Sequence, residues 1–470
     1  MRTSKIIIIT SLALIAFKAF ANPEVMQSNN LNNVNDTNAS ALYDKILPDN
    51  PNADIAELDR IKNMGQKNKY TQQKMLSLSG SNRSNSETYT YLRCYYRINN
   101  NPNDVRTDYI WGLNNDGSYY RVNGYWHDGS MLSVNLNLFY TNTSQNELNN
   151  ICYNTLSLNN KSTDNFMAYV ADNRFSYNHE TWNNNLDQID NRKINRIISF
   201  GDSLSDSHNM FNASQWKLPS SSTHMLGRFT NGLTWVEYIS QQFNMPLNNW
   251  AVGGAGGDTV KLILPGLRQQ IDSWVTYKST TQNYNPQHTL VTIWIGGNDL
   301  ISYDRTVSQI IGDVNYTINI LIKHGIKNIL VMNLPNLTQT PLFVKKYNTT
   351  KNVEVLFNDV VEYNQQLEKL VNTIKTQYAD MNIVMMDTFS IMDNILKYPA
   401  QYGFTNYNQS CLEINDDSAM NYINPSINPR AECNNANDFV FWDILHPTTK
   451  SHKIIANEVA NTLIDKFNLQ

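Results

Sequence analysis

The residues of this chain that are best suited to chemistry are Ser203, His446 and Asp443. Ser203 lies in the stretch Gly-Asp-Ser-Leu at residues 201–204, directly after an apolar run at residues 194–200. A buried strand that ends in a glycine-containing turn places such a serine at the carboxyl edge of a sheet, where α/β proteins build their sites. Asp443 stands three residues before His446, so a carboxylate is available to hold the imidazole as a general base. Together the three residues predict a serine hydrolase or acyltransferase.

His446 is the best candidate for the base among the eight histidines. Pro447 follows it and disfavours helical geometry, which predicts an exposed ring in a loop just before the last helix. His324 is expected at a helix C-terminus, and His452 on an exposed face of the last helix. Asp443 would hold the imidazole tautomer and stabilise the imidazolium.

Acyl transfer also needs hydrogen-bond donors for the developing oxyanion, and three places in the sequence could supply them. The first is the backbone N–H of Ser203, in the turn after its strand. The second is the glycine pair 253–254, where a backbone N–H can approach a substrate closely; Gly254 is preferred and Gly253 stays open. The third is the side-chain amide of Asn298, in the run Gly-Gly-Asn-Asp at residues 296–299. The glycine spacing does not match the dinucleotide-binding pattern, so no cofactor is expected.

Strands and helices alternate from residue 194 onward, which predicts a parallel sheet covered by helices on both faces. The expected strands are 194–200, 248–252, 289–295, 328–334 and 382–387, and the expected helices are 234–243, 260–274, 307–324, 355–377 and 448–467. The candidate residues all fall at strand ends or in the loop before the last helix, and therefore at one edge of the sheet. Residues 391–439 interrupt the alternation and are expected to form a long insertion over the site.

The remainder of the chain divides by composition. Residues 1–21 have the basic start, apolar stretch and small-residue cleavage site of a secretory signal peptide. Residues 22–85 are Asn-rich and expected to be largely disordered. Residues 86–158 predict a small antiparallel β domain, with a hairpin turn at residues 115–117. Residues 159–192 are polar and expected as a linker, and residues 193–470 form the predicted catalytic domain with the insertion 391–439.

Export would place the four cysteines in an oxidising compartment, where disulfides persist. Four cysteines allow three pairings. Pairing of Cys94 with Cys152 and of Cys411 with Cys433 is favoured, because each bridge then stays inside one predicted domain. No CxxC spacing is present, so metal ligation by these thiols is not expected.

The charge and hydropathy of the chain argue against two classes of partner. The net charge of −4 gives no basic face for nucleic acid. Beyond the signal peptide, no segment of the sequence has the length of a membrane helix. The expected location is therefore periplasmic or extracellular.

The motifs resemble those of the GDSL/SGNH hydrolase family. The similarity runs over residues 200–206, 249–255, 296–299 and 443–446, and it extends from about residue 194 to the C-terminus. It implies a flavodoxin-like three-layer fold. It also implies the roles of the site residues, which are Ser203 as nucleophile and donor, Gly254 and Asn298 as donors, His446 as base and Asp443 as the residue that orients it.

The aromatic strands and cysteines of the N-terminal part narrow this resemblance. Residues 89–97, 123–126 and 152–156 are similar to the small domain ahead of the catalytic domain in bacterial thermolabile haemolysins, which are secreted phospholipases. Those enzymes are similar to glycerophospholipid:cholesterol acyltransferases. The resemblance implies phospholipase A and lysophospholipase activity on phospholipid or lysophospholipid, peripheral contact with a membrane interface, and cholesterol as a second acyl acceptor.

The insertion is the expected control element of such an enzyme. Its aromatic residues could form an apolar surface for acyl chains or for the lipid interface; they are Tyr398, Tyr402, Phe404, Tyr407 and Tyr422. As in the acyltransferases it resembles, cleavage by a protease between Cys411 and Cys433 is expected to raise activity.

Two other functions fit parts of the sequence. A carbohydrate O-acetylesterase would use the same catalytic residues, and it would release acetate from acetylated glycans but no fatty acid from phospholipid. A non-catalytic secreted binding protein would work through the β domain, and its Ser203 would not react with serine-directed phosphonates.

Overall fold

The computed structural model describes residues 88–128, 137–170, 180–214, 217–259, 264–281, 283–347, 351–416 and 418–469. The predicted signal peptide and the Asn-rich segment 22–85 lie outside the described residues. The described chain divides into two compact units. The smaller unit contains residues 88–96, 108–128 and 137–181, and the larger unit contains residues 97–107 and 182–469.

An antiparallel sheet forms the smaller unit. Its strands are β1 (Thr88–Arg97), β2 (Thr107–Trp111), β3 (Arg121–Asp128), β4 (Asn137–Thr141) and β5 (Met167–Val170). They are ordered β2-β1-β3-β4, and β5 pairs with β1. The turn expected at residues 115–117 is present and closes a short antiparallel hairpin, in which Leu113 pairs with Tyr119 and the Tyr120 N–H donates to the Gly112 carbonyl at 2.7 Å. Beyond this pairing, β2 and β3 each pair with β1.

Two parts of this region differ from the sequence-based expectation. Helix α1 (Gln145–Leu158) packs against the sheet through Leu148, Cys152 and Leu156. Residues 159–192, expected as a linker, contain β5, a short strand β6 (Thr181–Asn183) and a helical turn α2 (Leu186–Ile189). β5 forms because the short apolar run at residues 166–170 pairs antiparallel with β1 and is partly buried there.

The larger unit is built on a parallel sheet of five strands: β7 (Arg196–Gly201), β8 (Leu247–Asn249), β9 (Thr289–Trp294), β10 (Asn328–Met332) and β11 (Asn382–Met386). Their order in the sheet is β11-β10-β9-β7-β8. Counted along the chain, this is the order 2-1-3-4-5 of flavodoxin-like sheets, in which ligands bind where the strand order reverses. That point lies between β7 and β9.

Helices connect the strands of this sheet. They are α3 (Asn209–Ala213), α4 (Trp235–Gln242), α5 (Leu267–Thr280), α6 (Gly297–Ser302), α7 (Val307–Lys323), α8 (Pro341–Val344), α9 (Val353–Gln377), α10 (Thr388–Lys397), α11 (Ala419–Ile423) and α12 (Thr449–Phe467). Single 3₁₀ turns cover Pro286–His288, Leu337–Gln339, Pro399–Tyr402 and Ala436–Asp438. Within the described ranges, none of the helices combines the length and the hydropathy that a bilayer crossing requires.

The last helix is held by the core of the larger unit. Val459 and Leu463 of α12 are fully buried, and they share a hydrophobic cluster with Trp235 and Ile239 of α4 and with Leu330 of β10. This packing fixes the start of α12, which the His446 loop immediately precedes.

Two predicted elements are displaced or incomplete. α5 begins at Leu267 and not at residue 260, because Gly266 caps it and Gln269 accepts a hydrogen bond from the Gly266 N–H. Residues 391–439 are more regular than expected. They contain the end of α10, α11, and two short parallel strands, β12 (Asn406–Ser410) and β13 (Phe439–Phe441).

Candidate active site

The structure brings Ser203, His446 and Asp443 together. His446 Nε2 lies 2.7 Å from Ser203 Oγ. His446 Nδ1 lies 2.9 Å from Asp443 Oδ1 and 2.8 Å from Oδ2. A hydroxyl, an imidazole and a carboxylate in this chain of contacts can activate the hydroxyl as a nucleophile, because the ring accepts its proton and the carboxylate stabilises the resulting cation.

The turn after β7 presents Ser203. A Cβ on Gly201 would come within 2.4 Å of the Trp294 carbonyl oxygen of β9, so this position admits only glycine without a shift of the backbone. The buried Gln270 side chain holds both polar groups of Gly201: Oε1 accepts from its N–H at 3.0 Å and Nε2 donates to its carbonyl at 2.8 Å. These contacts fix the point beside β9 at which the chain leaves the sheet, and they therefore fix the position of Ser203.

Asp443 is fully buried and accepts hydrogen bonds from several directions. Oδ1 accepts from the backbone N–H groups of Leu445 (2.8 Å) and His446 (2.9 Å), and the Tyr422 hydroxyl lies 3.4 Å away. His224 Nε2 lies 3.3 Å from Oδ2. Burial alone would raise the pKa of Asp443, but the nearby His446 and the hydrogen bond with His224 lower it well below its usual range. The carboxylate is thus kept ionised inside the protein.

Aromatic side chains enclose the candidate base. The ring centroids of Phe229 and Tyr422 lie 5.2 Å and 5.8 Å from that of His446, whose residue surface is only 7% exposed. The expectation of an exposed His446 ring is therefore wrong, since distant segments cover the loop. His452 is also buried and not exposed, and its Nδ1 accepts from the Trp235 N–H at 3.3 Å.

Hydrogen bonds to neighbouring residues distinguish Gly253 from Gly254 as a candidate backbone donor. The Gly253 N–H donates to Asp206 Oδ2 at 2.7 Å, so it is already engaged. The Gly254 carbonyl accepts from the Tyr303 hydroxyl at 2.5 Å, and Gly254 has a φ of 79°. Within the part of the chain that the structure describes, the N–H groups of Ser203 and Gly254 have no hydrogen-bond acceptor. These two remain the candidates for backbone donors.

Asn298 follows β9 at the start of α6. Its Nδ2 donates to the Ala255 carbonyl at 3.0 Å, which uses one of two amide N–H groups and ties α6 to the glycine loop. The next residue, the buried Asp299, accepts from the Gly257 N–H at 3.0 Å and from Arg305 at 2.8 Å. These hydrogen bonds therefore hold the start of α6 and the glycine loop together, and each of the two segments carries a candidate oxyanion donor.

The aromatic residues of the insertion do not form one surface. Phe404 and Tyr422 are buried, Tyr402 packs partly buried against the core, and Tyr398 and Tyr407 are exposed. Tyr422 instead belongs to the surroundings of Asp443 and His446.

Each pair of neighbouring cysteines is joined by a disulfide. Cys94 of β1 is bonded to Cys152 of α1 in the smaller unit, and Cys411 is bonded to Cys433 in the larger unit, with Cα–Cα distances of 5.0 Å and 5.2 Å. The second bridge closes the segment that carries Tyr422.

Sequence reasoning missed His224, Phe229 and Gln270, and it assigned Tyr422 to an apolar surface of the insertion instead of to the surroundings of Asp443. His224 lies 219 residues before Asp443, and no local pattern links the two positions. The same holds for Gln270, 69 residues after Gly201. Among the residues that support the site, Asp299 could have been identified from the sequence, because it adjoins Asn298 in the Gly-Gly-Asn-Asp run.

A flavodoxin-like sheet with Ser203, His446 and Asp443 at its strand-order reversal defines a serine-esterase type of site. The family described as GDSL-like lipase/acylhydrolase matches residues 197–459, which is more than half of the chain. The chain therefore belongs to this family of hydrolases and acyltransferases. Residues 58–184 match the family described as the N-terminal domain of the Vibrio dual lipase/transferase.

Curated relatives extend the similarity beyond the GDSL-like region. The thermolabile hemolysin of Vibrio parahaemolyticus is 39% identical over 376 residues, covering 80% of this chain and 88% of that protein. The phosphatidylcholine-sterol acyltransferase of Aeromonas hydrophila is 26% identical, covering 58% of this chain and 91% of that protein. The GDSL esterase/lipase 6 of Arabidopsis thaliana is 27% identical, covering 58% and 89% respectively.

Proposed function

We propose that the chain is an exported lipolytic serine esterase that forms an acyl-enzyme on Ser203. The observation that carries this proposal is the 2.7 Å contact between Ser203 Oγ and His446 Nε2, on a ring whose other nitrogen faces Asp443 at 2.8 Å. The proposed substrates are phospholipids and lysophospholipids, with a sterol hydroxyl as a second acyl acceptor.

In the first half-reaction, Ser203 Oγ attacks the ester carbonyl carbon while His446 Nε2 takes its proton. Asp443 holds Nδ1–H and stabilises the imidazolium. The N–H groups of Ser203 and Gly254 and the Asn298 amide donate to the oxyanion of the tetrahedral intermediate. His446 then returns the proton to the leaving alcohol, and the acyl group remains on Ser203.

The second half-reaction decides between hydrolysis and transfer. His446 removes a proton from the incoming hydroxyl, which belongs either to water or to a sterol, and the new oxygen attacks the acyl-enzyme. Both outcomes use the same protein groups, so the partition depends on whether the site excludes water and seats the sterol. No cofactor or metal takes part in either proposed step.

The names of the relatives support the substrate class. One is a thermolabile hemolysin, and another is a phosphatidylcholine-sterol acyltransferase. Attack on membrane phospholipid explains lysis, and transfer of a phospholipid acyl chain explains the second name. Peripheral contact with the lipid surface belongs to the same proposal, with the exposed rings of Tyr398 and Tyr407 as candidate contacts.

The domain organisation is proposed as a signal peptide (1–21), an Asn-rich segment (22–85), a small N-terminal domain that begins at residue 86, and a catalytic domain (193–470). The first part of the predicted linker 159–192 belongs to the N-terminal domain, because its strand β5 pairs with β1. The basic, apolar and small-residue pattern of residues 1–21 and the two disulfides support export to the periplasm or the exterior.

Regulation by proteolysis is a further part of the proposal. Residues 424–426 are exposed between Cys411 and Cys433, and a cut there leaves both ends joined by the disulfide. Cleavage is expected to raise activity by opening access to the site, while the disulfide keeps both ends of the segment attached. Limited proteolysis followed by an activity assay checks this, and unchanged activity after a mapped cut in this segment rejects it.

The proposed function is tested by product analysis with phosphatidylcholine vesicles, with and without cholesterol. Wild-type protein should release fatty acid and, with cholesterol, form sterol ester. Ser203→Ala and His446→Ala should abolish both products while keeping the folded CD spectrum. Ser308→Ala, an exposed serine of α7, is the matched control. Release of acetate from acetylated glycans without fatty acid release would favour the carbohydrate esterase instead.

A further inference from the structure

We propose that His224 is a positioning residue for the reaction, which holds the Asp443 carboxylate through its own imidazole. The proposal rests on the proposed roles of Ser203, His446 and Asp443. The ring nitrogens of His224 contact Asp443 and Thr223, so its effect on the reaction runs through Asp443.

Two imidazoles share one carboxylate oxygen. Asp443 Oδ2 has His446 Nδ1 at 2.8 Å and His224 Nε2 at 3.3 Å. The other oxygen, Oδ1, accepts from the backbone N–H groups of residues 445 and 446. Without His224, the described partners of Oδ2 reduce to His446 itself. The carboxylate is then anchored to groups other than the imidazole base only through Oδ1, by the two backbone N–H groups and by the Tyr422 hydroxyl at 3.4 Å. His224 therefore supplies the second anchor that a buried carboxylate needs to keep its plane aligned with the base.

The hydrogen bonds of His224 determine its tautomer. Its Nδ1 lies 2.9 Å from Thr223 Oγ1, and its side chain is fully buried. Burial lowers the pKa of His224, which keeps the ring neutral, although Asp443 opposes this shift. The Asp443 carboxylate can only accept, so Nε2 carries the proton and Nδ1 of the neutral ring accepts. Thr223 Oγ1, which also lies 3.2 Å from the Ser220 carbonyl oxygen, then turns its single hydrogen to Nδ1. His224 thus donates to Asp443 without cancelling the charge that the reaction uses.

The surroundings of His224 keep the ring in place. Its centroid lies 5.6 Å from that of Tyr422 and 6.2 Å from that of Phe229, and both of these rings also pack on His446. The Thr223 carbonyl accepts from Trp442 Nε1 at 2.9 Å, which joins the His224 turn to the residue before Asp443. The titratable groups that face His224 are Asp443, His446 and the Tyr422 hydroxyl.

The test compares His224→Phe with His224→Gln on a water-soluble short-chain ester. Phe keeps an aromatic ring between Phe229 and Tyr422 but removes the donor, whereas the Gln amide can reach Oδ2 and donate. We expect kcat to fall about 10- to 100-fold in His224→Phe with KM unchanged, since a charged hydrogen bond is lost. His224→Gln should recover kcat to within about threefold of wild type, as a retained donor predicts.

The pH profile separates positioning from simple packing. Loss of the donor leaves more negative charge facing His446, so the acidic limb of kcat/KM should move to higher pH in His224→Phe and return in His224→Gln. If His224→Phe does not fold, His224→Asn takes its place, because the shorter amide cannot reach Oδ2.

Three outcomes would overturn the proposal: wild-type kcat in His224→Phe, equal loss in Phe and Gln variants of unchanged thermal stability, or an unmoved acidic limb. Ser203→Ala is assayed in parallel. If Ser203→Ala is inactive and His224→Phe is like wild type, only the role of His224 fails. If Ser203→Ala retains activity, the proposed function itself fails.

Discussion

Asn298 donates one amide N–H to the Ala255 carbonyl, which orients the side chain and leaves a second N–H for the reaction. We expect Asn298→Ala to lower kcat by roughly 10²–10³-fold with little change in KM, because an oxyanion donor acts mainly in the transition state. Steady-state kinetics on a soluble ester measure this. Asn319→Ala on the exposed face of α7 is the matched control, and wild-type kcat in Asn298→Ala would remove Asn298 from the oxyanion site.

Individual site residues were predictable from the sequence where their partner is only a few residues away or where they belong to a known motif. His446 and Asp443 are three residues apart, and Ser203 stands in a recognisable turn. The residues that shape the pocket come from elsewhere. His224 and Tyr422 contact Asp443 only because three segments of the fold converge there, and no composition or spacing rule anticipates that convergence.

Among the structural elements, the turn after β7 contains two buried carboxylates that differ in how many N–H groups donate to them. Burial raises the pKa of Asp202 to about 7 and that of Asp206 to about 6. Asp202 Oδ1 accepts only from the Leu204 N–H among the described residues, at 3.0 Å. Asp206 uses both oxygens, since Oδ1 accepts from the N–H groups of residues 208 and 209, and Oδ2 from those of 210 and 253. The same substitution should therefore have opposite effects at the two positions.

We expect Asp202→Asn to stabilise the protein increasingly between pH 5 and pH 8. A carboxyl whose folded pKa is about 7, against about 4 when unfolded, binds more protons in the folded state, so wild-type stability falls as pH rises through this window. Asn removes that cost and still accepts from the Leu204 N–H, so the gain should grow by roughly 2 to 3 kcal/mol between pH 5 and pH 8. Thermal unfolding at both pH values measures the difference.

Asp206→Asn is the counterpart in the same turn. Its amide nitrogen cannot accept from the N–H groups of Met210 and Gly253, so two buried donors lose their partner and the variant should unfold at a lower temperature at both pH values. A stabilised Asp206→Asn, or an Asp202→Asn effect that does not depend on pH, would contradict this account of the turn.

Four strands of the parallel sheet were predictable because they are short, largely apolar runs between helical patterns, and β7, β9 and β10 are buried at every position. β8 differs, since it is the short segment Leu-Asn-Asn and ends at Asn249, before the end of the predicted strand 248–252. The elements inside residues 391–439 were not predictable. β12 is largely polar, and it pairs with β13, which lies about 30 residues further along the chain. β5 was missed for a related reason, since its pairing with β1 decides its conformation.

At the scale of the whole molecule, the two disulfides predict different effects on function. Cys411 and Cys433 are 22 residues apart, and the segment that they close contains Tyr422, which packs against His446. Cys94 and Cys152 are 58 residues apart and lie in the smaller unit. Loop-closure entropy gives stabilisation of about 3 and about 4 kcal/mol respectively. Both double alanine variants should therefore unfold at lower temperature.

Only one of the two variants should affect turnover. We expect Cys411→Ala/Cys433→Ala to lower kcat on a soluble ester at 20 °C, because Tyr422 is no longer held against His446 and Asp443. Cys94→Ala/Cys152→Ala should keep wild-type kcat as long as the larger unit stays folded. Equal kcat in the two variants, with both folded, would show that the closed segment does not support the site.

The central claim is that Ser203 is the nucleophile and that His446 activates it. The most direct measurement is labelling with a serine-directed fluorophosphonate, followed by mass spectrometry of the digested protein. We predict one adduct on the peptide that contains Ser203, none in Ser203→Ala, and labelling of His446→Ala slowed by at least about 10²-fold. An adduct on another residue, or unchanged labelling kinetics in folded His446→Ala, would contradict the claim.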